Sequence, residues 1–398
     1  MERKNVMTWL LYCVSLLLTV SGCDKGPTVL VDLTDNPRVV DRRTLKASGG
    51  GRVDWSKANN LIAYDTVDDQ GRWQINTIKP DGSDDICLTC DVTGLPAGAK
   101  LGQPAWHPSG DWLVIQVENL DLSYTSFALG YLSGAGWGIN NDLWLIPAQG
   151  GAAQKLDGAA IGQQGEASLH PHFSDDGESL FWTRRDPTDK DTNILKGFNW
   201  FGWYMAVAPF SISNGVATVG TVQDIFRDGP SEERGFYESH QLRENTLWFS
   251  RTVAPSIGIN AFVDEGFNAP LNSPASMQNV TAGEGYWEEH GVESPGGDWI
   301  TFNSSRIAPD VAYPPNIFAS LSMGIYIRPR DLSEPADLLI DSRHLMTDDE
   351  IEDGYGIVTS DYDWSPDGTE IVTYSAKRNG TGVITTQTIE IVTLDRAY

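Results

Sequence analysis

One short phrase is written several times along this 398-residue chain. It reads Val53-Asp54-Trp55-Ser56, then Ala105-Trp106-His107-Pro108-Ser109-Gly110, His172-Phe173-Ser174-Asp175-Asp176-Gly177, Glu293-Ser294-Pro295-Gly296-Gly297, and Asp363-Trp364-Ser365-Pro366-Asp367-Gly368. A phrase that returns every few tens of residues marks a repeat architecture, in which each copy is one small unit that cannot bury its apolar face alone. A further, degenerate copy is Tyr237 to Leu242, where the turn is shortened but Leu247-Trp248-Phe249 still follows.

After each copy comes a run of β-branched and aromatic residues, such as Trp112 to Val117 or Ile371 to Tyr374. The phrase ends in Asp-Gly or an equivalent, which supplies a tight turn between two antiparallel strands. A third strand follows, as in Asp142 to Ile146 and Thr388 to Thr393, and several repeats add a fourth. The expected fold is all-β: a six-bladed β-propeller of four-stranded antiparallel blades over residues 51 to 398. The last blade ends after its third strand. An open ring would leave sheet edges unpaired, so the strand-like run Thr28 to Asp32 is expected to complete that blade from the N-terminal side.

Residues 1 to 22 carry a basic head, Arg3 and Lys4, and then about 15 apolar residues, which is the core of an export signal and too short to span a bilayer. Val20-Ser21-Gly22-Cys23 resembles the bacterial lipoprotein signal. The resemblance implies that Cys23 is acylated and becomes the first mature residue, with residues 23 to 50 as tether and closing strand. The chain would then be an exported, membrane-anchored lipoprotein facing the periplasm or cell surface. Its net charge of −26 repels phosphate, which argues against nucleic acid as a partner. With Cys13 in the signal and Cys23 acylated, Cys87 and Cys90 remain. Cys-x-x-Cys suits a redox pair or half a zinc site, but the second half and the thioredoxin setting are missing, so a local structural disulfide is expected.

The repeated phrase resembles the propeller repeat of TolB, the periplasmic partner of the Tol-Pal envelope system, over roughly residues 50 to 395. Cys87 to Cys90, Pro104 to Gly110, Asn140 to Trp144 and Leu169 to Ser174 are similar to an uncharacterised family of exported TolB-type propellers. TolB differs in carrying an α/β domain ahead of its propeller. The resemblance implies the fold and an envelope setting, and it brings no activity.

Five of six histidines fall in or beside the phrase: His107, His170, His172, His240 and His290. In a propeller the phrase forms the innermost strand, whose alternate side chains face the central channel. His170 and His172 stand four and two residues before Ser174, His290 stands four before Ser294, and Asp361 and Asp363 take the same places before Ser365. His240 is close to register, with Glu238 two residues back and Glu289 beside His290. His170, His172, His240 and His290 are therefore candidate ligands for a divalent transition metal, and Glu238, Glu289, Asp361 and Asp363 candidate channel-lining carboxylates. Oligogalacturonate lyases are propellers with a histidine-bound metal in their funnel, and the His170-x-His172 pair is similar to theirs. Their wider ligand set and their seven blades are not matched here. Polar inner strands also serve simply to line a water-filled channel.

Tryptophans at fixed repeat places, such as Trp55, Trp106 and Trp364, read as packing between blades. Trp137, Trp200 and Trp203 stand outside that pattern and form a candidate aromatic binding surface. Gly130 to Gly138 lacks the Gly-Lys-Ser/Thr of a phosphate cradle, and Asp189-x-Asp191-x-Asn193 lacks the later residues of a calcium loop. No Gly-x-Ser-x-Gly occurs, so a propeller gating a hydrolase domain is not expected. Two functions remain. One is a non-catalytic envelope lipoprotein that binds a protein or glycan, with insertions at 119 to 140, 184 to 202 and 304 to 323 carrying contacts. The other is a metal-dependent polysaccharide lyase built on the channel histidines.

Overall fold

A computed structural model describes residues 36–122, 133–134, 136–187, 202–229, 235–253, 264–281, 286–307 and 321–398. Residues 1 to 22, Cys23, Thr28 to Asp32, Trp200, Asp189 to Asn193 and much of the three insertions lie outside them.

The described residues fold into six antiparallel main sheets, each starting at the repeated phrase. The first strands are Val53–Trp55, Leu101–Trp106, Ala167–Phe173, Tyr237–Arg243, Glu288–Glu293 and Gly356–Trp364. Each of these packs on the first strand of the next blade, and blade six returns onto blade one. The ring is a six-bladed β-propeller. Its recurring glycine has a backbone reason: Gly110, Gly177, Gly297 and Gly368 all sit at φ between 71° and 80°, where a Cβ is strained. In the degenerate fourth copy, Glu244 and Asn245 (φ 46° and 66°) make a two-residue turn of the primed type instead.

Closure comes from the N-terminal side but from a different segment than Thr28 to Asp32. Val39–Lys46 pairs antiparallel with Ile384–Leu394, from Val39 opposite Leu394 to Lys46 opposite Ile389. This outermost strand packs Val39 and Leu45 against clusters on either side of blade six. Val40, Asp41 and Thr44 face water, and two of its half-buried cations are paired: Arg43 lies 3.7 Å from Glu370 and Lys46 2.7 Å from Asp85. Its charge hid it in the sequence, where an apolar run looked the better strand.

Apolar clusters fill the gaps between successive blades, so Trp55, Trp106, Trp182, Trp248 and Trp364 are all buried. Trp203 belongs with them. It is fully buried between blades three and four, edge-on to Phe236, and offers no binding face.

Cys87 and Cys90 form a disulfide at the outer edge of blade one. So small a loop constrains the unfolded chain little. Cys90→Ser is expected to lower the unfolding free energy by no more than about 2 kcal/mol in urea titrations.

Candidate functional site

The channel wall is built by a repeated irregularity. In five blades the inner strand slips register against its neighbour: between Gly102 and Ala105, Leu169 and His172, Ser239 and Gln241, Glu289 and Val292, and Thr359 and Tyr362. Gln103, His170 and His290 take left-handed backbone there, with φ of 48°, 48° and 55°. Such a bulge frees an N–H from the ladder. Each is then satisfied by a side chain of the preceding blade. Gln103 N–H donates to Asp65 Oδ2 (3.0 Å), His170 N–H to Gln103 Oε1 (2.9 Å), and His290 N–H to His240 Nε2 (3.1 Å). The first job of these polar groups is to join blade to blade.

His170, His240 and His290 meet at the axis. Their ring centroids are 5.2 Å apart for His170 and His290, 4.8 Å for His240 and His290, and 6.1 Å for His170 and His240. One ligand atom from each lies within 4.8 Å of the others, and the same holds for Glu238, Glu289 and His290. The two oxygens of Glu238 lie 3.7 Å from His170 Nε2 and from His290 Nε2, respectively. Burial lowers the pKa of every imidazole in the group, with His290 pushed down to about 3. All three are neutral at pH 7. His240 accepts the His290 N–H at Nε2, which also faces Ser250 Oγ at 2.7 Å, so its proton sits on Nδ1.

His172 does not join them. The slip between Leu169 and His172 breaks the alternation that would put both on one face, and His172 lies against Phe181 at 5.6 Å. It is not a ligand candidate in this geometry. Burial lowers its pKa to about 4.

The carboxyl groups carry the opposite shift. Burial, and then the neighbouring Glu289, raise Glu238 well above the usual range; burial and Asp264 push Glu289 up to about 8. One ligand oxygen of each lies within 4.8 Å of the other, and this proximity favours protonation in the pair. Glu289 Oε2 also accepts Trp287 Nε1–H at 2.8 Å. Asp264, beneath them, is pushed up to about 7 by burial. Arg52 stands four residues before Ser56, in the register of His170 and His290, 3.7 Å from Asp65 and 3.9 Å from Asp361. Burial opposes its charge, but these two carboxylates hold its pKa up. Arg52, Asp65 and Gln103 were missed in the sequence. Arg52 holds the place four before its phrase serine that His170 and His290 hold before theirs, and so carries the same signal.

Two cavities open on the axis. One, of about 480 Å³, has Arg52, His170, Glu238, Glu289 and His290 at its polar end and Trp73, Trp137, Phe236 and Trp287 among its walls. The other, of about 350 Å³, is lined by Asp54, Lys57, His172, Asp361 and Asp363. His170 and His290 line both and so form the partition. In the second cavity, burial and Asp363 push Asp54 up to about 7. Asp54 and Asp363 also accept the backbone N–H groups of Trp106 and Trp55, at 2.6 and 2.8 Å, a second set of links between blades. His107 also lines the second cavity, edge-on to Phe173, and is not among the grouped axial histidines.

Fold and site together define a six-bladed β-propeller with a polar axial partition between two funnels. No family model and no curated protein matches the chain. Among solved structures it is similar in fold to a putative TolB from Agrobacterium tumefaciens (14% identity, TM-score 0.45, 74% of this chain and 81% of that one). It is similar also to TolB from Acinetobacter baumannii (12%, 0.46, 88% of this chain and 64% of that one). A third is an oligogalacturonate lyase in complex with manganese (11%, 0.45, 91% and 95%). The likeness is one of fold.

Proposed function

We propose that this chain is a non-catalytic, lipid-anchored envelope propeller that binds a protein or glycan partner, with the aromatic-walled funnel as its recognition site. The observation that carries this reading is the double employment of the channel residues. Gln103 and His240 hold bulge N–H groups of the next blade, as Asp54 and Asp363 hold N–H groups of Trp106 and Trp55. Such residues are needed for the ring whatever the funnel does. The export signal and Cys23 motif in the sequence supply the address.

The second reading, a metal-dependent lyase-like enzyme, is favoured by the approach of His170, His240, His290, Glu238 and Glu289 to one another. His240 fits a metal poorly as it stands. Its Nε2 lone pair already receives a backbone N–H, and freeing Nδ1 for a metal would move the proton onto Nε2, facing that donor. His170, His290 and Glu238 fit better as a two-imidazole, one-carboxylate set, which would supply Lewis-acid chemistry. Elemental analysis of the purified protein tests the choice. Expected is a chain with substoichiometric zinc, manganese and iron that captures an envelope protein or glycan. Stoichiometric metal, lost in both His170→Ala and His290→Ala, would overturn the binding reading.

A further inference from the structure

The polar end of the larger funnel has acceptors to spare and cations already committed. Glu238 is 7% exposed, lines the funnel, and its Oε2 has no hydrogen-bond partner among the described residues. An orphaned buried carboxyl oxygen in a cavity points to a missing donor. The imidazoles of His170 and His290 stand 3.7 Å away, beyond hydrogen-bond reach. Arg52 is engaged by Asp65 and Asp361. Lys100 is held by Glu118 and Ser133, and Arg378 is also partnered. Above this end, the indoles of Trp73, Trp137 and Trp287 line the same space, and Trp287 touches Glu289 directly. Carboxyl groups at the base of an aromatic-walled pocket attract organic cations: an ammonium seated there favours the ionised carboxylate, whose proton leaves to solvent, and makes cation–π contact with the walls. An anionic ligand meets the reverse: a chain of net charge −26 and no uncommitted cation among the described lining residues.

We infer that the larger funnel is a binding site for a protonated amine, an ammonium group on an apolar stem, seated on Glu238 and Glu289 between the funnel's tryptophans. The inference rests on the binding reading above and gives it a ligand class. An ammonium has three N–H donors, and Glu238 Oε2 with the imidazoles on either side of that carboxyl are the acceptors that face it. The stem lies along the indoles. The amine comes either as a small molecule or as a lysine side chain of a protein partner.

Calorimetric titration of the full chain with three probes of one shape tests this: phenethylamine, 2-phenylethanol and phenylacetate. Tryptophan fluorescence is followed in parallel. Phenethylamine is expected to bind about tenfold more tightly than the alcohol, with phenylacetate weakest, and to perturb the fluorescence. In Glu238→Gln that preference is expected to fall to about twofold or less. Thermal melting of the variant establishes that it is folded; should it not fold, Trp287→Leu is used, which is expected to weaken phenethylamine by about threefold or more. Equal binding of amine and alcohol, tighter binding of phenylacetate, or an unchanged preference in folded variants would overturn the inference. A capped Gly-Lys-Gly peptide separates the sources. If it binds more tightly than phenethylamine, the amine belongs to a protein partner; if more weakly, to a small molecule. Loss of the amine preference with partner capture retained sinks this inference alone, whereas stoichiometric metal on His170 and His290 sinks the binding reading as well.

Discussion

Arg52→Met is expected to lower the unfolding free energy by about 3 kcal/mol at pH 7, measured by urea denaturation. The side chain is four-fifths buried, with an exposure of 20%, and it is the cation facing two buried carboxylates, Asp65 at 2% and Asp361 at 16%. Removing it leaves both without compensation. Asp65 also accepts the Gln103 N–H, so a disturbed Asp65 loosens the contact between blades one and two. Burial has already raised the pKa of both carboxyls despite Arg52, and without it they rise further. Groups that hold protons in the fold and release them on unfolding favour the folded state at low pH. The gap between wild type and variant is therefore expected to be smaller at pH 5 than at pH 8. A variant as stable as wild type, or a gap that widens on acidification, would show that Arg52 does not hold the ring.

Stability of the intact protein is expected to be greatest between about pH 4.5 and 6.5 and to fall by about 4 kcal/mol by pH 8.5. Two sets of groups produce this shape with opposite signs. Burial pushes Asp54, Asp264 and Glu288 up to about 7 and Glu289 up to about 8. Each stabilises the fold fully below its unfolded pKa near 4, and this is lost as pH rises through 7 and 8. His172 and His290 are depressed to about 4 and 3, and His170 and His240 are also lowered. Their contribution is full above 6.5 and is lost as pH falls towards 3. Between 4.5 and 6.5 the two sets offset each other. Outside that window each acts alone. Repulsion within a chain of net charge −26 adds to the alkaline loss. Melting temperatures across pH 4 to 9 check this; a midpoint that climbs from pH 6 to 8.5 would refute it.

The blades were legible in the sequence because the phrase fixes a turn, and the turn fixes the hairpin on either side of it. Gly177 and Gly368 sit where only a positive φ closes the turn, so the signal survives divergence of everything around it. The closing strand was misplaced because an outermost strand packs one side and shows the other to water. Val39–Lys46, with its two arginines and a lysine, lacks the apolar run that Thr28 to Asp32 displays.

The candidate site was legible only in part, because alternation along a strand was assumed to run unbroken. His170 and Asp361 do face the axis four residues before their serines. Two residues on, the bulge has intervened, and His172 parts from the other histidines. Bulges at Gln103, His170 and His290 are left-handed backbone in residues other than glycine, and nothing in residue type announces them. Asp65 and Asp264 come from second and third strands, so a count along the phrase does not reach them.

Val39–Lys46 is synthesised long before its partner, Ile384–Leu394. Hydrogen bonds between them span some 346 residues, as from Thr44 to Glu390. Pairing so distant in sequence is slow, because the whole intervening polymer has to be in place first. The six hairpins can form in order as the polypeptide emerges, while the clasp waits as a bare strand until the final hairpin arrives. Its dense charge protects it during that wait, since an apolar strand left open for so long would pair with a neighbouring nascent chain.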